Sequence, residues 1–327
     1  MQLKPNPYVL IFVNQVLFQM KFSFPSVLIK YCLFLFFVPL CVVKAQETMP
    51  AMLSMKGHAL KAKANGKNYQ LYVSLPNGYD VANAERYTVL YVLDANITYP
   101  ILHSLHGLLD GSGEIQKIII VGVGDEDQSP EVWLRSRMED YTPSADPSVN
   151  KEVATSLQVP EASIKTGNAK AFLSAMRTDI IPFINEHYKT KGKAGIAGHS
   201  LGGLFVGYSL LNATDVFDSF GICSPSFLWN NGEILAQESA FLAKHKDVVA
   251  NVFISSGKLE PEIMYPSIRG FIAALKQSQY KAIKLTTHEF DGETHTSVIT
   301  ASLSRMLKVL YGTNPVSYTH LRAHETD

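Results

Sequence analysis

Apolar and polar positions along this chain fall into short apolar strands that alternate with stretches of helical spacing. Residues 69–75 alternate as a half-exposed strand, and Pro76-Asn77-Gly78-Tyr79-Asp80 reads as the turn that ends it. Residues 88–93 and 118–123 are continuous apolar runs, the pattern of strands covered on both faces. Residues 194–197 form another short apolar strand, after which Leu204, Phe205, Tyr208 and Leu211 recur at helical spacing. Later strands are read at 251–255 and 284–290. Helices are read at 170–188, where Pro182 is expected to introduce a kink, and at 298–310. This alternation predicts an α/β fold: a mostly parallel central sheet with helices on both faces.

One segment breaks the rhythm. Residues 125–168 are polar and rich in Pro and Ser, and so long a connection inside a compact domain is usually functional or disordered. It leaves the sheet after Val123, so it is expected to act as a lid or substrate-recognition region. The alternative is a loose surface insertion.

The two ends read as lying outside the fold. From Met20-Lys21 the chain enters a leader whose residues 31–43 are almost wholly apolar, and Val43-Lys44-Ala45 places small residues where a signal peptidase cuts. The apolar core is roughly a dozen residues, short of the roughly 20 that span a bilayer. Residues 1–45 are therefore expected to be a bacterial export signal, with 1–19 a mis-called extension before the better start at Met20. The mature protein would be periplasmic or secreted, with no stable insertion in the membrane. At the other end, residues 316–327 (VSYTHLRAHETD) resemble one reading frame of a sequencing adaptor and read as an assembly artefact. His320 and His324 then drop out of the search for catalytic groups. Residues 46–315 remain as a single domain.

Composition removes some function classes. The formal net charge is zero with 29 basic and 29 acidic residues, and no basic run lies outside the leader, which argues against a nucleic-acid partner. Of the three cysteines, Cys32 and Cys41 fall in the leader. Cys223 is left alone, so no internal disulfide and no Cys/His metal spacing is expected. No metal or organic cofactor is implied.

The most informative local pattern is Gly198-His199-Ser200-Leu201-Gly202-Gly203. A strand before it and an amphipathic helix after it make G-x-S-x-G a nucleophile elbow, a sharp turn that lifts a serine Oγ above the sheet. Serine is a poor nucleophile until a base removes its proton, and the base needs a third group to orient it. His295, in Asp291-Gly292-Glu293-Thr294-His295-Thr296 between the last strand and the last helix, is the expected base. His199 is expected to point away from Oγ, and His288 to pack within its strand. His58, His103, His106, His187 and His245 lie on no loop expected at the site. The acid should follow strand 251–255, which selects Glu260, with Glu262 as the alternative and a Ser–His dyad also open. Asp291 and Glu293 are disfavoured by chain order. Two backbone N–H donors are needed for an oxyanion. They are placed at Leu201, after the nucleophile, and at Asn96, in the loop expected after strand 88–93.

Taken together these residues resemble the esterases related to esterase D and the periplasmic siderophore esterases of the enterobactin and salmochelin type, within the α/β-hydrolase superfamily. The resemblance covers most of residues 66–311. It rests on the runs 72–80, 90–94 and 119–124, on Asp140-Tyr141-Thr142-Pro143, on the elbow, on Ser224-Pro225-Ser226 with Trp229-Asn230, and on the His295 loop with its helix. It implies an α/β-hydrolase fold with Ser200 as nucleophile, His295 as base and Leu201 as oxyanion donor. It also implies that an arginine before Asp-Tyr-Thr-Pro, here Arg137, contacts substrate. The residues themselves leave Arg137 open to a surface ion pair with Glu139 or Asp140. One departure is Asp94-Ala95, where similar proteins carry Asp-Gly. The expected function is an exported serine carboxylic-ester hydrolase acting on a small-molecule ester, with a siderophore lactone favoured by the resemblance. The alternatives are a carbohydrate acetyl or feruloyl esterase, an acyltransferase, or a binding protein on a hydrolase scaffold. A basic site built on Arg135 and Arg137 would favour an anionic siderophore.

Overall fold

The computed structural model describes residues 56–127, 129–242, 247–277 and 282–313. The expected leader and the adaptor-like tail lie outside these residues. β1 (Lys56–Lys61) and β2 (Asn68–Ser74) form a hairpin, followed by β3 (Thr88–Leu93), α1 (Ala95–Gly111) and β4 (Ile118–Asp125). Two helices, α2 (Pro130–Asp140) and α3 (Pro147–Leu157), precede α4, which joins Ala169–Ala175 to Ile181–His187. Then come β5 (Ala194–His199), α5 (Leu201–Asn212), β6 (Phe217–Cys223), α6 (Trp229–Leu242), β7 (Val249–Gly257), α7 (Tyr265–Gln277), β8 (Ala282–Phe290) and α8 (Val298–Tyr311).

The eight strands make one sheet in the order β1-β2-β4-β3-β5-β6-β7-β8. The pairs β1–β2 and β2–β4 are antiparallel and all others are parallel. Every side chain of β4 from Ile118 to Val123 is buried, as is every side chain of β5, because apolar layers cover both faces. On one face Leu90, Val92 and Ile120 pack with Leu102 of α1 and Leu303, Met306 and Leu307 of α8. On the other, Val89, Tyr91 and Val121 share a core with Phe172, Phe205, Trp229 and Phe271. This is the expected α/β architecture with helices on both faces. Cys223 is fully buried, and burial pushes its thiol up to about 12, so it is an unreactive part of the core. Among the described residues no helix is long and apolar enough to cross a membrane.

The Pro182 expectation resolves into a specific device. Proline removes one backbone donor and crowds the preceding turn. The helix absorbs this with a π-helical turn, Met176–Ile180, just before Pro182.

The segment 125–168 is folded and packed rather than loose. Two of its prolines are helix starts: Ser129 caps α2 with Pro130 following, and Asp146 caps α3 through the Ser148 and Val149 N–H groups with Pro147 following. Proline suits the first helical position because its missing N–H has no intrahelical partner there. Trp133, Leu134 and Met138 of α2 and Val149 and Val153 of α3 are buried in the larger core. The segment is therefore a helical layer anchored in the core beside the C-terminal end of β4, not a loose insertion.

Candidate active site

The elbow lies at the C-terminal ends of the parallel strands. Ser200 has φ 60° and ψ −117°, a strained conformation for a residue with a side chain, and it sits directly between β5 and α5. Backbone bonds hold it there: Ser200 N–H donates to Cys223 O at 3.1 Å, and Ser200 O accepts from Leu204 N–H at 2.9 Å and Ser226 N–H at 3.0 Å. The flanking glycines are steric necessities. A Cβ on Gly198 would lie 2.5 Å from the Gly202 carbonyl carbon, and one on Gly203 would lie 2.9 Å from Cys223 O.

Three side chains drawn from separate loops meet in a line. Ser200 Oγ lies 3.0 Å from His295 Nε2, and His295 Nδ1 lies 3.1 Å from Glu260 Oε2. Ser200 is fully buried, and Glu260 and His295 are 5% and 7% exposed, so the line is shielded from bulk water. Glu260 is fixed at its other oxygen: Oε1 accepts from Gly257 N–H at 2.6 Å and from Ser224 Oγ at 2.7 Å. Burial pushes the Glu260 carboxyl up, but the bonds from His295, Ser224 and Gly257 outweigh it and hold the group below its usual range. It therefore stays a carboxylate at neutral pH. Tyr265 ties the same turn together, its hydroxyl donating to Gly257 O and accepting from Glu260 N–H.

The fixed carboxylate assigns the protons. Glu260 Oε2 accepts from His295 Nδ1–H, which leaves Nε2 to accept from Ser200 Oγ–H. Ser200 has no second hydrogen, so Ser226 Oγ, 3.1 Å away, donates to Ser200 Oγ. Glu262, the alternative acid, begins the next turn and is exposed, and Asp291 pairs with Lys258 at 2.7 Å. Glu260→Gln makes a sharp test of this arrangement. The Gln oxygen stays with its two donors, so its amide donates to His295 Nδ1 and forces the ring proton onto Nε2. Ester turnover is expected to fall by about a thousand-fold to ten-thousand-fold, read as kcat at unchanged melting behaviour. Wild-type kcat would show that Glu260 only braces the loop.

Two helix N-termini follow the neighbouring parallel strands β5 and β3. The α5 ladder starts with Leu204 N–H on Ser200 O, so the N–H groups of Leu201 and Gly202 precede it and have no intrahelical partner. On the neighbouring strand β3 there is no loop: α1 begins at Ala95, and its first bonds run from Ile97 and Thr98 N–H to Asp94 O. Asn96, expected in a loop, is thus the second residue of a helix, and its N–H and that of Ala95 precede the ladder. Gly202 packs against this junction, since a Cβ there would lie 3.1 Å from Asp94 Oδ2. The departure at Asp94-Ala95 also finds its reason. Asp94 itself takes the left-handed conformation (φ 54°), while the Ala95 methyl sits against Gly122 and Gly124, where β4 has no side chains.

Arg137 does not form the surface ion pair with Glu139 or Asp140 that its sequence neighbourhood allowed. Its side chain is 3% exposed, with Nε 3.1 Å from Asp94 Oδ1 and Nη2 3.1 Å from Asp94 Oδ2. The guanidinium also stacks on Trp133 at 4.8 Å, and Trp133 Nε1–H donates to Asp94 Oδ1 at 2.8 Å. It thus clamps the β3–α1 junction from a buried position. Glu139 and Asp140, its expected surface partners, bind Lys67 instead. Arg135 pairs with Glu131 one helical turn away, so neither arginine makes the site basic. The His199 ring lies 4.6 Å from that of His295. Asp94, Ser224, Ser226 and Tyr265 were given no role by sequence reasoning. Ser224-Pro225-Ser226, directly after a strand beside the elbow, was the one signal that could have pointed to two of them.

The arrangement is a nucleophile, base and acid in hydrogen-bonded series beside unpaired backbone donors, which suits acyl transfer. A sequence profile of the family described as putative esterase matches residues 62–310. The ferri-bacillibactin esterase BesA of Bacillus subtilis (strain 168) is 29% identical over 258 residues, covering 76% of this chain and 86% of that protein. The apo-salmochelin esterase of Escherichia coli O6:H1 is 28% identical over 261 residues, 77% of each chain. Among solved structures, the BES protein from Bacillus cereus matches with a TM-score of 0.66 at 29% identity, covering 79% of this chain and 94% of that one.

Proposed function

The chain belongs to the putative esterase family, and from that premise we propose that it is an exported carboxylesterase that opens the ester bonds of a siderophore through an acyl-enzyme on Ser200. It is a serine hydrolase acting on ester bonds. The observation that carries the mechanism is the series Ser200–His295–Glu260, with heavy-atom spacings of 3.0 and 3.1 Å. The substrate class is supported by the two relatives, both named for siderophore esters and both aligned over about three quarters of this chain. It draws no support from a cationic site, because Asp94 and Glu131 neutralise Arg137 and Arg135.

In this mechanism Ser200 Oγ attacks the ester carbonyl carbon while His295 Nε2 takes its proton. The new C–O bond pushes the carbonyl electrons onto oxygen, and the oxyanion accepts from Leu201 N–H and from the N–H of Asn96 at the start of α1. Glu260 balances the imidazolium and keeps Nδ1–H pointed at itself. The tetrahedral adduct collapses, the alcohol leaves with the proton from His295, and the acyl group stays on Ser200. Water then attacks with His295 again as base, releasing the acid and restoring Ser200. Ser226, donating to Ser200 Oγ in the resting state, steadies the nucleophile between turnovers.

A substrate panel tests the reading. Linear and cyclic catecholate siderophore lactones are compared with acetylated and feruloylated sugars, with and without added acyl acceptor. The siderophore esters are expected to exceed the sugar esters in kcat/KM by about a hundred-fold or more, with free acid as the product. Preference for a sugar ester, or accumulation of a transferred acyl product, would overturn it.

A further inference from the structure

Ser224 opens the turn after β6 in a conformation that its residue type does not favour. Its φ is 42°, in the left-handed region where glycine meets no steric cost and a residue with a side chain does. The backbone alone would select glycine here, so a serine held at this angle points to what its hydroxyl touches. Ser224 is fully buried, and its Oγ donates to Glu260 Oε1 at 2.7 Å.

The turn that carries Ser224 is fastened on two sides. Ser224 N–H donates to Ser255 O of β7 at 2.7 Å. Toward the elbow, Cys223 O accepts from Ser200 N–H at 3.1 Å, and Ser226 N–H donates to Ser200 O at 3.0 Å. Gly203 of α5 packs on the same turn, since a Cβ there would lie 3.0 Å from Pro225 Cα. Ser224 therefore stands in one frame with the nucleophile. The other donor to Oε1, Gly257 N–H at 2.6 Å, lies three residues before Glu260 on the acid's own loop. That bond shapes the loop but does not tie it to Ser200. Among the described bonds to the Glu260 carboxylate, the one from Ser224 is the link to the elbow's frame. With Oε1 held from two elements, the carboxylate can turn little about its last side-chain bond, and Oε2 stays aimed at His295 Nδ1.

We propose that Ser224 is a positioning residue, whose hydroxyl ties the acid to the frame that carries the nucleophile and so fixes the orientation of His295 between them. The inference rests on Glu260 being the acid of the series. Its physical warrant is the steepness of proton transfer with geometry: the base must stay within hydrogen-bond reach of Ser200 Oγ, and small misplacements cost rate.

The same bond has an electrostatic consequence. Burial pushes the Glu260 carboxyl up, and the Ser224 hydroxyl is among the donors that outweigh it. Without that donor, the carboxylate holds the proton it shares with His295 more tightly, so the acid limb of the kcat/KM profile moves to higher pH. The titratable groups against Glu260 are His295, from the loop before α8, and Tyr265, from the start of α7. Lys258, paired with Asp291, and Glu262 are exposed on the acid's own loop. The turn at residues 224–226 brings no charged side chain.

Two substitutions separate the hydroxyl from the backbone. Ser224→Ala removes the donor and keeps the steric cost at φ 42°, whereas Ser224→Gly removes the donor and relieves that cost. Both are expected to lose about ten-fold in kcat on an activated ester with KM within about two-fold, and both are expected to move the acid limb upward. Turnover is expressed per site labelled by a fluorophosphonate, so loss of folded protein does not register as loss of rate. The glycine variant, free of strain, carries the test if the alanine variant does not fold. Wild-type kcat in either variant, or a loss of rate with the acid limb unmoved, would overturn the proposal. Failure of the underlying reading is distinguishable, because Glu260→Gln would then keep wild-type kcat; if the proposal alone fails, Glu260→Gln loses rate and the Ser224 variants do not.

Discussion

Ser200→Ala is expected to lower kcat on an activated short-chain ester by about ten-thousand-fold or more while leaving the fold intact. The loss is large because the acyl-enzyme path has no substitute nucleophile. Ser226 Oγ is 3.1 Å from Ser200 Oγ, but it has no described bond to His295 and no place on the strained turn. The fold survives because what holds the elbow is backbone: the bonds to Cys223 O, from Leu204 and from Ser226 do not involve the hydroxyl. Alanine meets the same steric cost at φ 60° as serine, so the turn is neither relieved nor worsened. A circular-dichroism melt within a few degrees of wild type, together with the kinetic loss, is the expected pair of results. Turnover close to wild type would remove Ser200 from the chemistry.

The second large effect is on stability. Arg137→Ala leaves the Asp94 carboxylate 4% exposed, with only Trp133 Nε1–H as a side-chain donor. Removing one partner of a buried ion pair typically costs about 3–5 kcal/mol, because the other charge is left desolvated and unpaired. The same change frees the β3–α1 junction and the His199 carbonyl, so activity is expected to fall along with stability. Asp94→Asn combined with Arg137→Met should recover much of the loss, since asparagine tolerates the left-handed conformation and neither charge then remains buried. A chemical-denaturation cycle over the two single variants and the double variant measures the coupling. If Arg137 were a substrate contact instead, Arg137→Ala would raise KM and leave the unfolding midpoint unchanged.

Sequence and structure agree where one physical signal dominates. β3 and β4 were legible as unbroken apolar runs because burial on both faces leaves no polar positions. The elbow was legible because its glycines are forced by backbone approach. β1 (Lys56–Lys61) was not, since an edge strand with lysines at its ends carries little apolar pattern, and β6 was hidden by Asp218 and Ser219. The helices of residues 125–168 were hidden for another reason. The Ser129-Pro130 and Asp146-Pro147 pairs that start them read as loop punctuation when taken alone. Ser200, His295 and Glu260, which the structure brings into one hydrogen-bonded series, were singled out by chain order and loop placement. The ion-pair partner of Arg137 was not legible because nothing local distinguishes Glu139 or Asp140 from Asp94, 43 residues back at the β3–α1 junction. Asn96 was set in a loop because the one-residue junction at Asp94 leaves no sequence room to see where the helix begins.

The central claim is that Ser200 is the atom source of the acyl-enzyme in siderophore ester hydrolysis. The most direct measurement titrates the protein with a fluorophosphonate, following the residual rate on a catecholate siderophore lactone and mapping the adduct by peptide mass spectrometry. The account predicts one adduct per chain, on the peptide containing Ser200, with the siderophore rate falling in proportion to its occupancy. An adduct on another residue, or full occupancy of Ser200 with the siderophore rate unchanged, would contradict it.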